Sequence, residues 1–261
     1  VDPVSQHRMK ALITGASAGI GRDMAHVLAR RGFELILVAR REELLDQLKS
    51  ELSVPSRVIA LDLSDEAQCR VLYEQTKDDA VDILINNAGF GLVGPFDRTD
   101  LGVELDMIDV NIRAVHILTK LYLKDFVKRD SGYILNVASL AAVLPGPLMA
   151  TYYASKAYVL SLTQAIWEEL RQRKSHVHVS VLCPGPVPTD FNKIAQAHDI
   201  GKGTPSAVVA EYAVDRMLKN KRVIVPGLKA KLAYSMPRLM PMRWLLRFAH
   251  SRMIGKGATN E

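Results

Sequence analysis

Seven short runs built almost wholly from Val, Ile, Leu and Ala alternate along this chain with longer stretches at helical spacing. A strand that is apolar on both faces has to be covered on both faces, and strand-helix alternation brings successive strands back parallel. The pattern predicts strands at Lys10–Thr14, Glu34–Ala39, Arg57–Leu61, Asp82–Asn86, Gly132–Ala138, Val177–Leu182 and Arg222–Val225. Between them fall amphipathic segments, among them a long helix from about Leu101 to Lys128 and another from about Tyr152 to Lys174. The fold class that follows is α/β, a single domain holding a doubly wound parallel sheet of about seven strands flanked by helices. In such a sheet ligands bind beyond the carboxyl ends of the strands.

Composition agrees with that reading and narrows it. With 48% hydrophobic and 24% charged residues among 261, the chain has material for a large core and too much of it for disorder. Cys69 and Cys183 are the only cysteines and neither lies in a CxxC or CxH pair, so two reduced thiols are expected rather than zinc or a disulfide framework. There is no apolar run of about eighteen residues and no signal-peptide core, which predicts a soluble, cytoplasmic protein. Residues 1–8 precede a plausible start at Met9 and read as a tag remnant or a loose arm. The formal charge of +6 is concentrated: from Lys219 onward there are ten Lys and Arg against one acid, Glu261, while the rest carries 24 basic against 27 acidic side chains. No recognition motif or aromatic-basic platform accompanies the excess, so nucleic acid is not an expected partner.

The first strand runs into Thr14-Gly-Ala-Ser-Ala-Gly-Ile-Gly21 and then a helix. Glycine at 15, 19 and 21 lets backbone approach a pyrophosphate, with free N–H groups and the positive helix end facing the charge; Ser17 and Ile20 lie in the same turn. This is the dinucleotide-binding step of a Rossmann-type sheet, although its spacing differs from GxGxxG. At the end of the second strand, where an NAD site wants an acid for the ribose 2′-hydroxyl, the chain has Ala39-Arg40-Arg41. A guanidinium there can clamp a 2′-phosphate, with Ser17 adding a hydroxyl donor, so NADP(H) is the expected cofactor. The competing reading, that Arg40 and Arg41 merely begin a solvated helix, is disfavoured by the helix dipole. Asp62, just past the third strand with Leu63 beside it, suits an adenine edge and equally suits capping the next helix. Asn86-Asn87-Ala-Gly89 after the fourth strand is, by itself, a loop.

Tyr152 and Lys156 are four residues apart in a predicted helix and so share one face, with Ser139 a short way upstream. A phenol that ionises near ~pH 10 in water is a poor proton shuttle, but a neighbouring ammonium favours the phenolate and brings its pKa toward the working range. Tyr153 is the decoy: it stands about 100° further round the helix.

Taken together, Thr14-Gly-x-x-x-Gly-x-Gly21, Asn86-Asn-Ala-Gly89, Asn111, Ser139, Tyr152-x-x-x-Lys156 and Pro184-Gly185 with Thr189 resemble, in order and spacing, the classical short-chain dehydrogenase/reductase family. The resemblance covers residues 10 to about 226. It implies hydride transfer between a nicotinamide and a carbonyl or alcohol carbon, with Tyr152 as proton donor. Lys156 would bind the nicotinamide ribose and depress the tyrosine pKa, and Ser139 would orient and polarise the carbonyl. Asn111 looks like the holder of a proton-relay water, its bland alternative being a mid-helix asparagine bonded to backbone. Asn87 and the loop from Pro184 and Gly185 to Thr189 look like cofactor contacts, with Val187 and Thr189 near the nicotinamide amide. Family habit implies a homodimer or homotetramer, and use of NADPH implies a reductase. The rival readings are a dinucleotide sensor without turnover and a peripheral membrane or scaffold protein.

The oxidoreductase domain is thus expected over residues 9–227, with a substrate loop at 184–205 and an extension at 228–261. Phe90, Leu92, Val93, Leu140 to Leu144, Met149 and Phe191 suit an apolar carbonyl or alcohol substrate. In the extension Leu232, Met236, Leu239, Met240, Trp244, Leu245, Phe248 and Met253 are interleaved with Lys and Arg and broken by Pro237 and Pro241. Such a tail can lie on an anionic membrane, cover the substrate pocket, pack on a second subunit, or dock on its own domain.

Overall fold

The computed structural model describes residues 8–189, 191, 203–238 and 240–254. The predicted arm at 1–8 and much of the predicted substrate loop, residues 190 and 192–202, therefore lie almost wholly outside the described residues. The chain begins β1 (Lys10–Thr14), α1 (Gly19–Arg30), β2 (Glu34–Ala39), α2 (Glu42–Glu51), β3 (Ser56–Ala60), α3 (Glu66–Thr76) and β4 (Ile83–Asn86). It continues through α4 (Leu101–Ile108), α5 (Val115–Arg129), β5 (Gly132–Val137), α6 (Ala150–Gln172), β6 (Val177–Leu182), α7 (Ser206–Leu218) and β7 (Val223–Ile224). Two helices close it, α8 (Leu228–Ser235) and α9 (Met242–Ile254).

The seven strands form one parallel sheet in the order β3-β2-β1-β4-β5-β6-β7. Side chains alternate between its faces, and each face has its own apolar layer. Ile13 and Leu37 meet Met24 and Leu28 of α1 and Val214 and Met217 of α7. Leu12 and Ile36, one residue away, meet Leu72 of α3 and Leu118, Tyr122 and Phe126 of α5. This two-sided burial is why the strands read as solid apolar runs. The winding direction reverses between β1 and β4, which opens a crevice above their carboxyl ends.

The predicted strands stand where the apolar runs put them, with differences at the ends. β7 keeps only Val223 and Ile224, paired with Val181 and Leu182 of β6. Gly32 ends α1 as expected, at φ +82. The predicted single helix from Leu101 to Lys128 is interrupted by a π turn at Asp109–Ala114. Asn111 sits within that turn, its side chain bonded to the backbone of Phe90 outside the helix, as π bulges at functional sites commonly allow.

The glycine turn is shaped by what approaches it. Gly15 has φ +64, and a Cβ there would lie 2.8 Å from Ala88 Cα. A Cβ on Gly21 would overlap the Gly15 carbonyl and the Asn87 amide. Gly21→Ala is therefore expected to lose about 1–3 kcal/mol, the usual cost of overpacking; a thermal melt no lower than that of the native chain would contradict the packing described here.

Candidate active site

A single cavity of about 1160 Å³ runs along the crevice above the carboxyl ends of the strands. At one end lie the glycine turn, Arg40 and Arg41 after β2, and Asp62 and Leu63 after β3. Arg41 Nη2 is 3.4 Å from Ser17 Oγ, and Arg40 Nη1 is 3.8 Å from Asp62 Oδ2 on the exposed rim. Asp62 does not cap α3. Its Oδ1 accepts from Ser64 N at 3.0 Å and Ser64 Oγ at 2.9 Å, and Asp65 caps the helix by accepting from Ala67 N at 2.7 Å.

The turn is clasped to the end of β4 by a hydroxyl and an amide. Thr14 Oγ1 accepts from Asn87 N at 3.0 Å and Ala88 N at 3.1 Å, while Asn87 Nδ2 donates to Thr14 O at 3.0 Å and Gly15 O at 3.1 Å. Asn87 thus holds the turn as well as lining the cavity. From the opposite wall the loop after β6 contributes Pro184, Gly185, Val187 and Thr189, and the Thr189 methyl closes onto Gly19.

At the centre, β5 and α6 converge. Ser139 follows β5 in extended backbone, and its Oγ accepts from Ala141 N at 3.1 Å, starting the 3-10 turn Leu140–Val143. Leu140 N donates to Pro184 O at 3.0 Å, tying this turn to the loop after β6. On α6, Tyr152 and Lys156 stand one helical turn apart, the ammonium 5.9 Å from the centre of the tyrosine ring. The Ser139 hydroxyl stands beside the Tyr152 phenol and pulls its pKa down. Lys156 is 5% exposed and donates from Nζ to Val137 O at 3.0 Å.

The electrostatics differ from the sequence expectation. Burial pushes the Tyr152 phenol up to about 12, against the pull of the Ser139 hydroxyl, with Tyr153 adding to the rise. Burial brings the Lys156 ammonium down to about 8. The lysine does not lower the phenol in the protein alone, because its ammonium is turned to the last carbonyl of β5 and burial dominates both groups.

Of the predicted catalytic and cofactor residues two stand behind the cavity wall rather than in it, Gly21 and Asn111, and of the predicted apolar lining Leu92, Ala142 and Val143 do so too. Asn111 is 0% exposed. Its Oδ1 accepts from Phe90 N at 3.1 Å, and its Nδ2 donates to Phe90 O at 2.9 Å and Ser155 Oγ at 3.1 Å. Ser155 Oγ donates in turn to Tyr152 O at 2.7 Å, so the π turn is linked to the backbone that carries the tyrosine. Sequence reasoning missed Ser155, whose value depends on a partner 44 positions away. It also set Tyr153 aside; that ring lines the cavity, edge-on to Tyr152 at 6.1 Å between centres. Phe191, as expected from sequence, stands by Tyr152 at 5.3 Å. The tail reaches the same cavity: α8 packs on the Leu140–Val143 turn, and Met236 and Phe248 line the space. Among the described residues there is no cluster able to hold a metal ion.

Lys156 folds with its pKa below its unfolded value, so the penalty of burying its charge is fully present below about pH 8. Between there and the unfolded value the unfolded chain binds more protons, and stability rises with pH. Lys156→Met is expected to be more stable than the native chain at neutral pH, by on the order of 1–3 kcal/mol. The gain should shrink by about pH 9.5. Melting curves at the two pH values check this; a variant less stable at neutral pH contradicts it.

Comparison with known proteins gives a consistent answer. The sequence profile described as short chain dehydrogenase matches residues 9–199. A very-long-chain 3-oxoacyl-CoA reductase from Homo sapiens is 34% identical over 211 residues, 76% of this chain and 65% of that protein. The chain spans 55% of the like-named protein of Mycosarcoma maydis, at 35% identity over 196 residues. A dehydrogenase/reductase SDR family protein 7-like of Drosophila melanogaster is 32% identical over 255 residues, 88% of this chain and 76% of the relative. Among solved structures, a short-chain dehydrogenase from Sphingobium yanoikuyae in complex with NADPH is 28% identical with a TM-score of 0.79, covering 97% of this chain and 98% of that one. With the parallel sheet, the glycine turn and the Ser139, Tyr152 and Lys156 convergence already described, this chain belongs to the short-chain dehydrogenase family of oxidoreductases.

Proposed function

We propose that the chain is an NADP(H)-dependent oxidoreductase acting on the carbonyl or alcohol group of an apolar substrate, with Tyr152 as general acid and base. The observation that carries this reading is the single cavity with a glycine turn and two arginines at one end and Ser139, Tyr152 and Lys156 further along. The residues fit the cofactor: side-chain-free backbone at Gly15 and Gly19 for the pyrophosphate, and Arg40, Arg41 and Ser17 where a 2′-phosphate would sit, with no acid at the end of β2. When bound, the reduced nicotinamide supplies the hydride.

The chain's own residues do the rest. Ser139 and Tyr152, side by side in the cavity lining, can present two hydroxyl donors to one oxygen, which would orient a carbonyl and stabilise the charge that develops on it. Tyr152 delivers the proton. Lys156, one turn below, is placed to hold a ribose hydroxyl and to steady a phenolate once its Val137 contact is shared. The Asn111 side chain is committed to Phe90 and Ser155, so its part is to fix the Tyr152 backbone, and any relay water at this position falls to its main chain. Apolar surfaces from Phe90, Val93, Leu144, Met149 and Phe191 favour an apolar substrate. The relatives named as 3-oxoacyl-CoA reductases and the NADPH complex of the Sphingobium protein support the carbonyl and the cofactor.

NADPH oxidation against a panel of ketones, quinones, steroids and 3-oxoacyl thioesters tests the reading. Tyr152→Phe is expected to lose about 10²–10⁴ in turnover while NADPH still binds; full activity in that variant would overturn the mechanism. Arg40→Ala is expected to weaken NADPH binding about tenfold, the worth of one charge-assisted contact at an exposed site, and to leave NADH binding unchanged. Equal loss for both nucleotides would remove the 2′-phosphate assignment.

A further inference from the structure

Exposed apolar side chains are concentrated near the carboxyl end of the chain. Of thirteen large apolar side chains exposed among the described residues, six fall between Leu228 and Phe248. On α8, Leu228 and Leu232 are 74% and 66% exposed and follow each other at i and i+4, with Met236, 40% exposed, at the next turn. Lys229 and Lys231 flank this stripe on either side, while Ala230 and Tyr234 turn inward against the cluster of Val115, Val159 and Val225. On α9, Leu245 and Ala249 are buried, Trp244 and Phe248 are exposed on one flank, and Arg243 and Arg247 lie opposite Leu245. Single exposed apolar residues are ordinary, but an apolar stripe edged by cations is not.

We propose that the outer face of α8 and α9 docks on an anionic phospholipid surface. The Leu228, Leu232 and Met236 stripe and the Trp244 and Phe248 edge enter the headgroup boundary, and the lysines and arginines meet lipid phosphates. Charge selects this occupant over a second copy of the chain. The described part of this face carries Lys229, Lys231, Arg243 and Arg247 and no acid, so two such faces repel each other, whereas an anionic bilayer neutralises them. No helix among the described residues is long and apolar enough to cross a membrane, so the face lies on the surface rather than spanning it. Leu228, Met236 and Phe248 also line the active-site cavity, which sets its rim against the lipid. Resting on the function proposed above, this gives a lipid-dissolved carbonyl a route to Tyr152.

The test is co-sedimentation of the full chain with vesicles of phosphatidylcholine plus phosphatidylglycerol, and of phosphatidylcholine alone. The chain is expected to sediment with the anionic vesicles only and to be released by salt. Lys231→Gln with Arg243→Gln should weaken binding roughly thirtyfold, at about fivefold per basic residue on an anionic surface, and Leu232→Ser with Trp244→Ser should abolish it. Failure to sediment with anionic vesicles, equal binding to both kinds, or a solution dimer dispersed by the Leu232 and Trp244 substitutions without any vesicle binding would each overturn the proposal. None of these four residues lines the cavity, so turnover of a water-soluble ketone without vesicles should persist in both variants. Absence of that turnover in the native chain would defeat the oxidoreductase reading separately, and the sedimentation result would still decide the docking face.

Discussion

A lysine buried at the carboxyl edge of the sheet organises the site. An ammonium taken out of water is costly unless its hydrogens are met, and Lys156 meets that cost only in part, through the last carbonyl of β5 at Val137. The surroundings bear the mark of that requirement. Gly89 has no side chain because a Cβ there would press on both Asn111 Oδ1, at 2.7 Å, and Lys156 Nζ, at 3.2 Å. The backbone of Phe90 next to it is taken up by Asn111, and Asn111 can face that way because the helix carrying it opens into a π turn. Burial that brings the lysine down to about 8 also pushes Tyr152 up to about 12, so the pair is held away from its values in water.

The second constraint is topological. In a parallel sheet all strand carboxyl ends lie on one edge, and the reversal between β1 and β4 parts the connecting loops there. The Thr14 and Asn87 clasp keeps the parting from collapsing or splaying. Through Asn87, Gly89, Asn111 and Ser155 it connects the glycine-turn end of the cavity to the tyrosine. The buried amides beneath, Asn86 and Asn136 with Thr119 and Thr163, form a hydrogen-bonded floor across β4, β5, α5 and α6. The glycine turn and the Ser139, Tyr152 and Lys156 convergence therefore rest on one edge of the sheet.

Much of this was legible in the chain because it depends on local pattern. Solid apolar runs located the strands, Gly32 marked the end of α1, and the four-residue interval placed Tyr152 and Lys156 on one face. What could not be read depends on distant partners. The π turn carries a bond from Asn111 to Phe90, 21 positions away, and the Thr14 clasp joins residues more than seventy positions apart. The direction of the Lys156 ammonium depends on which carbonyl β5 leaves at its end, and in the protein alone burial rather than the lysine sets the phenol. The docking of Leu245 and Ala249, against the exposure of Trp244 and Phe248, likewise follows from tertiary packing that an amphipathic pattern alone leaves open.

The central proposal is that burial raises the Tyr152 phenol to about 12 until a nicotinamide nucleotide draws the lysine into partnership with it. Carbon-13 resonance of ring-labelled tyrosine, with Tyr152 identified by difference against Tyr152→Phe, measures this directly across a pH titration with and without saturating NADP⁺. Tyr152 should titrate near 12 in the free protein and move down toward neutral pH in the complex. A phenol that titrates at the same pH in both states would contradict the account.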